Sequence, residues 1–225
     1  MKTAMKKMLR GLKNMVLTEK QRRHLLVGPA TLWKMKRDFQ IDFMKRMGLR
    51  PENTLLDIGC GTLRGGVAFI DYLDAGNYCG IDVRENALAE GRKELAEHGL
   101  EGKQPELLLV PDMSKLVLDR KFDFIWSFSV LFHMTDEILD DALAAVSRAL
   151  KDDGVFYANV HLGHERDAWL EFPVVWRTMD AYREKCARVG LEVTEVGLLR
   201  DLGHLSKIES QDDQMMLKFE KKKAA

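Results

Sequence analysis

The sequence predicts a doubly wound, mostly parallel α/β fold with an antiparallel pair of strands at one edge and an N-terminal helical cap. Three observations lead there. Short apolar runs suited to buried strands alternate with helix-period segments from residue 54 onward. The first of these runs ends in a glycine-rich turn, Asp57-Ile58-Gly59-Cys60-Gly61, directly before a helical pattern. The last two runs have no helix-length segment between them, so they pair antiparallel.

Taken in order, Thr31–Met47 carries Leu32, Met35, Phe39, Phe43 and Met47 at helical spacing, and Gly48 and Pro51 stop it. Thr54–Ile58 reads as a strand, Arg64–Leu73 as a helix, Tyr78–Val83 as a strand and Glu85–His98 as a helix. Glu106–Val110 and Phe122–Val130 are two more strands. Asp136–Leu150 is a helix with Leu139, Ala142, Leu143 and Val146 on one stripe. Asp153-Gly154 is expected to turn the chain into a strand over Val155–Val160. Val174–Val189 reads as a helix, and Leu191–Val196 and Gln214–Glu220 close the pattern. The expected division is a helical arm and cap over residues 1–50 and an α/β domain over 51–225.

Composition narrows the function classes. With 35 basic and 35 acidic residues the formal net charge is zero, so no global field draws the chain to nucleic acid. Cys60, Cys79 and Cys186 are odd in number and include no CxxC pair, which fits a reducing compartment and gives no zinc or disulfide framework. Lys and Arg interrupt Met1–Leu17 too often for a signal-peptide core, and the expected location is cytoplasmic. The charge is unevenly spread. Eight basic residues (Lys2, Lys6, Lys7, Arg10, Lys13, Lys20, Arg22 and Arg23) face one acid, Glu19, in the first 23 residues. Met1–Val16 sets an apolar helical stripe against that charge. The pattern fits a helix packed on its own domain, and equally one lying peripherally on an anionic membrane or against a partner.

The glycine turn is the most informative stretch. Gly59 and Gly61 let the backbone turn sharply and let a ligand approach, and the following helix presents unpaired N–H groups. A dinucleotide fingerprint needs a third glycine or alanine where this chain has Arg64, which argues against a nicotinamide oxidoreductase. Asp82 ends the second strand 21 positions after Gly61, placed to accept ribose hydroxyls. Asp112-Met113 ends the third strand. There a carboxylate and a backbone N–H match the donor and acceptor of an adenine edge.

These landmarks, with Ser127-Phe128-Ser129 ending the fourth strand, resemble the class I S-adenosylmethionine-dependent methyltransferases from about Leu55 to Glu220. The resemblance implies a seven-stranded sheet with a reversed last strand and S-adenosyl-L-methionine as cofactor. It implies that Asp57, Gly59 and Gly61 meet the methionine end and that Cys60, Leu63 and Arg64 are further cofactor contacts. It places Asp82 at the ribose and Asp112 and Met113 at the adenine, and it counts Val83, Ser127 and Phe128 among the cofactor contacts. Many members have a third glycine where this chain has Leu63. Arg64 then either points to solvent or clamps a carboxylate.

For the methyl acceptor, the sequence lacks the Asn/Asp-Pro-Pro-Tyr/Phe tetrapeptide of enzymes that methylate base nitrogens. A small-molecule or glycan acceptor, methylated on oxygen, is the expectation; a non-catalytic module of the same fold is the alternative. His133 and His161 are the candidate catalytic residues, since strand ends on this side border the cleft and a hydroxyl acceptor needs a base. Trp33 and Arg37, one helical turn apart, and His164 are candidate substrate contacts; Trp169, Trp176 and His204 are weaker ones. No metal is expected, because no spaced third ligand accompanies His161 and His164.

Overall fold

The computed structural model describes residues 17–169 and 172–222. The Met1–Val16 helix expected from the sequence lies outside the described residues, as does the side chain of Trp169. Helix α1 spans Glu19–Leu25 and α2 spans Trp33–Arg46, with a 3-10 turn at Ala30–Leu32 before it. Then follow β1 (Leu55–Ile58), α3 (Gly66–Tyr72), β2 (Tyr78–Asp82), α4 (Glu85–Glu97), β3 (Glu106–Leu109), β4 (Phe122–Ser127) and α5 (Asp136–Ala149). The chain continues through β5 (Leu150–Val160), β6 (Arg166–Trp169), β7 (Phe172–Val175), α6 (Met179–Arg188), β8 (Leu191–Leu198), α7 (Glu209–Asp212) and β9 (Met215–Lys221).

The main sheet has seven strands in the order β3-β2-β1-β4-β5-β9-β8, with β9 antiparallel to both neighbours and the other pairings parallel. The strand order reverses between β1 and β4. The crevice outside the carboxyl ends of these strands is where open α/β sheets take ligands. One face of the sheet packs Phe39, Phe43 and Met44 of α2 with Phe69 of α3 and Leu88 of α4 onto Leu55, Trp126 and Tyr157. The other packs Leu139, Leu143 and Val146 of α5 and Tyr182 of α6 onto Leu56, Ile125 and Phe219. The α2 helix therefore shares the core of the sheet.

Three sequence expectations need correction. Strand β5 begins at Leu150, not Val155. The Asp153-Gly154 step lies in a register shift within the strand, where the pairing jumps from Phe122↔Leu150 to Phe124↔Val155. Residues 174–178 are not helical. Val174 and Val175 belong to a two-stranded hairpin with β6, and α6 starts after Thr178, whose side chain caps Ala181 N–H. Two adjacent β-branched residues favour the extended form, and the threonine supplies a helix start. Strand β4 stops at Ser127, because Ser129 adopts φ +63 and a 3-10 turn follows over Leu131–His133.

The arm is locked down by charge. Thr18 and Gln21 form a reciprocal capping box at the start of α1. Arg23, 3% exposed, reaches α4 and meets three carboxylates: Glu94 at 2.6 Å, Glu97 at 2.7 Å and Glu90 at 3.2 Å. Glu94 is wholly buried, so Arg23 is its main counter-charge. Breaking a buried pair by removing one partner costs about 3–5 kcal/mol. Arg23→Ala is therefore expected to release the arm, read as rapid hydrogen exchange of amides 22–28 with the sheet still protected. Unchanged protection there would show that the ion cluster does not hold the arm.

Candidate active site

The turn after β1 is built by hydrogen bonds to β2. The N–H groups of Gly59 and Cys60 both donate to the Ile81 carbonyl, at 2.8 and 3.0 Å. Gly61 N–H donates to Asp82 Oδ2 at 2.9 Å, and Arg84 N–H donates to Asp82 Oδ1 at 2.9 Å. Oδ1 also accepts from Arg84 Nε at 3.4 Å, so Oδ2 is the oxygen that retains a lone pair for a ligand hydroxyl. Gly59 has φ +77, and a Cβ there would sit 2.4 Å from Val130 Cγ2. Gly61 has φ +56, and its Cβ would meet Val27 Cγ1 at 2.6 Å. Neither position accepts a side chain.

The remaining predicted cofactor residues fall into three groups. Val83 and Asp112 face outward. Val83 is 49% exposed, an apolar surface beside Asp82 suited to the face of a flat base. Asp112 caps the 3-10 turn Met113–Lys115, accepting from Ser114 N–H and Oγ and pairing with Lys115 at 2.8 Å. These partners hold its carboxyl at about 2. Cys60, Leu63, Met113 and Ser127 turn their side chains inward. Burial pushes the Cys60 thiol up, Leu63 is fully buried at φ +61, Met113 joins the core, and Ser127 Oγ donates to the Ile58 carbonyl. At these positions only the backbone is left to meet a ligand. Asp57, Arg64 and Phe128 lie buried under the turn. Asp57 accepts from Tyr78 Oη at 2.8 Å, and burial raises its carboxyl to about 7.

Arg64 does not point to solvent. It is 9% exposed, its Nη1 donates to the Val27 carbonyl at 2.6 Å, and burial lowers it to about 10. Sequence reasoning missed what surrounds it. Gly65 and Gly66 admit Gln40 and Tyr78, whose side-chain oxygens lie 2.5 and 2.6 Å from where Cβ atoms would stand. Gln40 accepts from Trp126 Nε1 at 2.9 Å and donates to the Lys36 carbonyl. Lys36 of α2 is itself buried, at 6% exposure. A doubled glycine after the turn was the available signal that another element packs there.

The histidines divide by their partners. His133 Nδ1 lies 2.7 Å from the Pro173 carbonyl and must donate to it, so Nε2 is the deprotonated nitrogen. Burial lowers its affinity for a proton, with Arg84 adding to the effect. His161 Nε2 is 3.0 Å from Gln214 Nε2, while Gln214 Oε1 takes a hydrogen bond from Asn159 Nδ2 at 2.5 Å. The amide nitrogen must then be the donor, and the His161 Nε2 lone pair is engaged. Asn159 Oδ1 also accepts from Ser129 N–H at 2.7 Å, so this chain of amides holds the loop after β4. Arg177 fixes the same loop from the other side, through the Met134 carbonyl and Asp136. His164 is exposed and borders a groove with Asp136, Trp176 and Lys185. Trp33 and Arg37 do not line the cleft as expected. Trp33 stacks on His24 at 3.6 Å, and Arg37 pairs with Asp38. Among the described residues no group of three His, Cys, Asp or Glu side chains is placed to hold a metal.

Comparison with known proteins agrees with this geometry. Residues 56–156 match the model of a family described as a methyltransferase domain. The chain is similar to the S-adenosylmethionine-dependent methyltransferase of Clostridium acetobutylicum, at TM-score 0.63 and 18% identity over 85% of this chain and 92% of that one. It is also similar to the glycopeptide N-methyltransferase MtfA complexed with S-adenosyl-L-methionine, at TM-score 0.64 and 15% identity over 82% and 93%. Residues 56–156 carry a methyltransferase domain, and the chain shares the fold of S-adenosylmethionine-dependent methyltransferases. Two sphingolipid C9-methyltransferases of Emericella nidulans, A and B, match at 28% and 30% identity over 59% and 65% of this chain. The chain spans about a quarter of the length of these relatives, 25% and 28%.

The residues present fit that cofactor. Gly59 and Gly61 form a cradle against which Val130 and Val27 rest, Asp82 Oδ2 keeps a lone pair for a ribose hydroxyl, Val83 offers an apolar face, and among the described residues Thr62 Oγ1 and Arg64 Nε are buried without a hydrogen-bond partner. Asp82→Asn retains the shape but loses one acceptor. It is expected to weaken S-adenosylmethionine binding by about 1.5–3 kcal/mol, the scale for hydrogen bonds to a charged group. Titration calorimetry showing wild-type affinity would remove Asp82 from the site.

Acid is expected to destabilise the fold. His24, His133, His161 and His204 all bind protons less readily than a free histidine near 6.5, with His161 at about 4, and burial is the largest cause for each. Below about pH 6.5 the unfolded chain takes up protons that the folded chain refuses, so stability declines as pH falls towards about 4. Asp57, raised to about 7, acts in the opposite sense between about pH 7 and 4, one group against four. Urea midpoints at pH 7, 6 and 5 should fall in that order; a midpoint that rises on acidification contradicts this balance.

Proposed function

We propose that this protein is an active methyltransferase that methylates a small-molecule or glycan hydroxyl, with His133 as the base and residues 17–50 as the lid of a catalytic domain spanning 51–222. The tautomer of His133 carries the reading. Its Nδ1–H donates to the Pro173 carbonyl, the tautomer in which Nε2 carries the lone pair that a base uses, in the 3-10 turn that follows β4. S-adenosylmethionine, when bound, supplies a methyl group on a sulfonium for in-line displacement. The protein's part is alignment, exclusion of water and removal of the hydroxyl proton. His133 Nε2 takes that proton. His161 stacks edge-on to Phe132 at 4.7 Å and lies 4.5 Å from Trp176, so it supports the wall behind His133. The hairpin β6–β7 brings Pro173 to His133 and Phe172 under the Arg84 guanidinium at 5.8 Å, which supports a role in closing the acceptor side.

The test is turnover with labelled cofactor on fractionated extract, followed by His133→Gln on the acceptor so found. Loss of about 10²–10⁴-fold in kcat with cofactor affinity intact is expected of a general base. The wild-type rate should fall only below about pH 6.5, since His133 holds its proton less tightly than a free histidine. A His133→Gln enzyme of undiminished kcat would remove the base.

The names of the two Emericella nidulans relatives favour a second reading, a lipid acceptor methylated on carbon. Among the described residues no helix is long and apolar enough to cross a membrane. A lipid would then be met at a surface, where the basic Met1–Val16 segment would dock on anionic headgroups. Salt-sensitive binding to phosphatidylserine vesicles, lost on deleting Met1–Val16, supports this reading. Absence of vesicle binding by the full chain refutes it.

A further inference from the structure

Arg84 stands between Asp82 and the two segments that border the cleft. It is the N-cap residue of α4, and its backbone N–H donates to Asp82 Oδ1 at 2.9 Å. Its side chain then reaches in three directions. Nε returns to the same Asp82 oxygen at 3.4 Å, and Nη1 donates at 3.1 Å to the carbonyl of Leu26, in the strap between α1 and α2. The guanidinium carbon lies 5.8 Å from the centre of the Phe172 ring, on the hairpin β6–β7. Nη2 lies 3.8 Å from where a Gly61 Cβ would stand, so the group also crosses the glycine turn. Four stretches distant in the chain thus meet at one side chain.

A guanidinium suits that place. Its donors are fixed in one plane, and its face stays free to lie against a ring. A cation within about 6 Å of an aromatic centroid is attracted to the ring face. A lysine ammonium is a single point charge and cannot present the same fork. The choice of oxygen also matters. Arg84 occupies Oδ1, which leaves Oδ2, already holding Gly61 N–H, for a ligand hydroxyl. A hydroxyl on Oδ2 fixes the plane of the carboxylate, and with it the Oδ1 that steadies the guanidinium. The hairpin carries this to the chemistry, because Pro173, next to Phe172, takes the His133 Nδ1–H. Coupling of this kind is reciprocal: what the ligand adds to closure, closure adds to ligand affinity.

We propose that Arg84 is a positioning residue for the methyl transfer: through its one guanidinium, a cofactor held at Asp82 steadies the strap and the hairpin β6–β7 over the acceptor side. The proposal rests on the methyltransferase reading and adds to it the residue that makes closure depend on the cofactor.

The experiment uses the full chain, S-adenosylhomocysteine as the probe, and hydrogen exchange as the readout of local opening. The amides followed are Leu26, Val27 and Gly28 in the strap and Phe172, Val174 and Val175 in the hairpin, with α5 as the reference. In the wild type, saturating S-adenosylhomocysteine is expected to slow exchange in both segments about 10-fold relative to α5. Arg84→Met keeps an unbranched apolar stem and removes the fork. Its strap and hairpin should exchange at the same rate with and without the saturating probe. Arg84→Lys restores the charge without the fork and should recover less than half of the gain. A merely structural arginine would lower protection equally in both states, so a wild-type gain surviving in Arg84→Met overturns the proposal. If Arg84→Met fails to fold or to bind the probe, Arg84→Lys decides: an undiminished gain overturns the proposal, and a reduced one supports it. Wild-type protein that binds S-adenosylhomocysteine with no gain in either segment also overturns it. Failure of the wild-type protein to bind the probe at all instead overturns the methyltransferase reading, so the two failures are distinguishable.

Discussion

Asp82 is the joint on which the rest of the site depends. Its two oxygens take the N–H groups of Gly61 and Arg84, so one carboxylate fixes both the turn after β1 and the start of α4. Because Asp82 is 6% exposed, the two bonds are made where competing water is scarce, and each is stronger for it. The glycine turn in turn fixes where α2, the loop after β4 and the strap before α2 can approach. Gly61 touches Val27, Gly59 touches Val130, and Gly65 touches Gln40. A single register between β1 and β2, with Ile58 opposite Ile81, sets all of these distances.

Two kinds of burial coexist around that joint. The sheet faces are apolar in the usual way, with Trp126, Phe43 and Phe69 on one side and Phe122, Phe156 and Leu143 on the other. At the carboxyl ends of the strands the buried groups are polar: Asp57, Thr62, Arg64, Lys36, Gln40 and His204. Polar groups of that density weaken a core unless each finds a partner, and several here do not. Stability given up at one place and retained elsewhere is the pattern expected of a binding site.

The elements that were legible from the sequence are those whose signal is local. Helix α5 shows its stripe in Leu139, Ala142, Leu143 and Val146, and β1 and β2 show continuous apolar runs ended by glycine and aspartate. The reversed last strand was legible from the spacing of β8 and β9. The hairpin β6–β7 was not, because its strands are four residues each and Pro173 sits inside one. The site was legible where chemistry needs a special backbone, at Gly59 and Gly61. It was illegible at Lys36, a charged residue beside Arg37 on a helix that reads as solvated on that side. Only the approach of α2 to the turn, through Gln40 and Gly65, buries it. His204 was seen as a weak candidate for the same reason: its burial comes from Phe39 and Phe128, far away in the chain.

The strap from Leu26 to Gly28 has a consequence for how this region tolerates change. Arg64 grips the carbonyl of Val27 and Arg84 the carbonyl of Leu26, at 2.6 and 3.1 Å. Main-chain oxygens are the same in every residue, so the strap is held by its path and not by its side chains. Leu26 can therefore drift among residues of many types without loosening the arm, and Val27 among those small enough to rest on Gly61. A single inserted or deleted residue between Arg23 and Trp33 is another matter. It would move both carbonyls out of step with two arginines at once, so the length of the strap matters more to its anchoring than its side chains do.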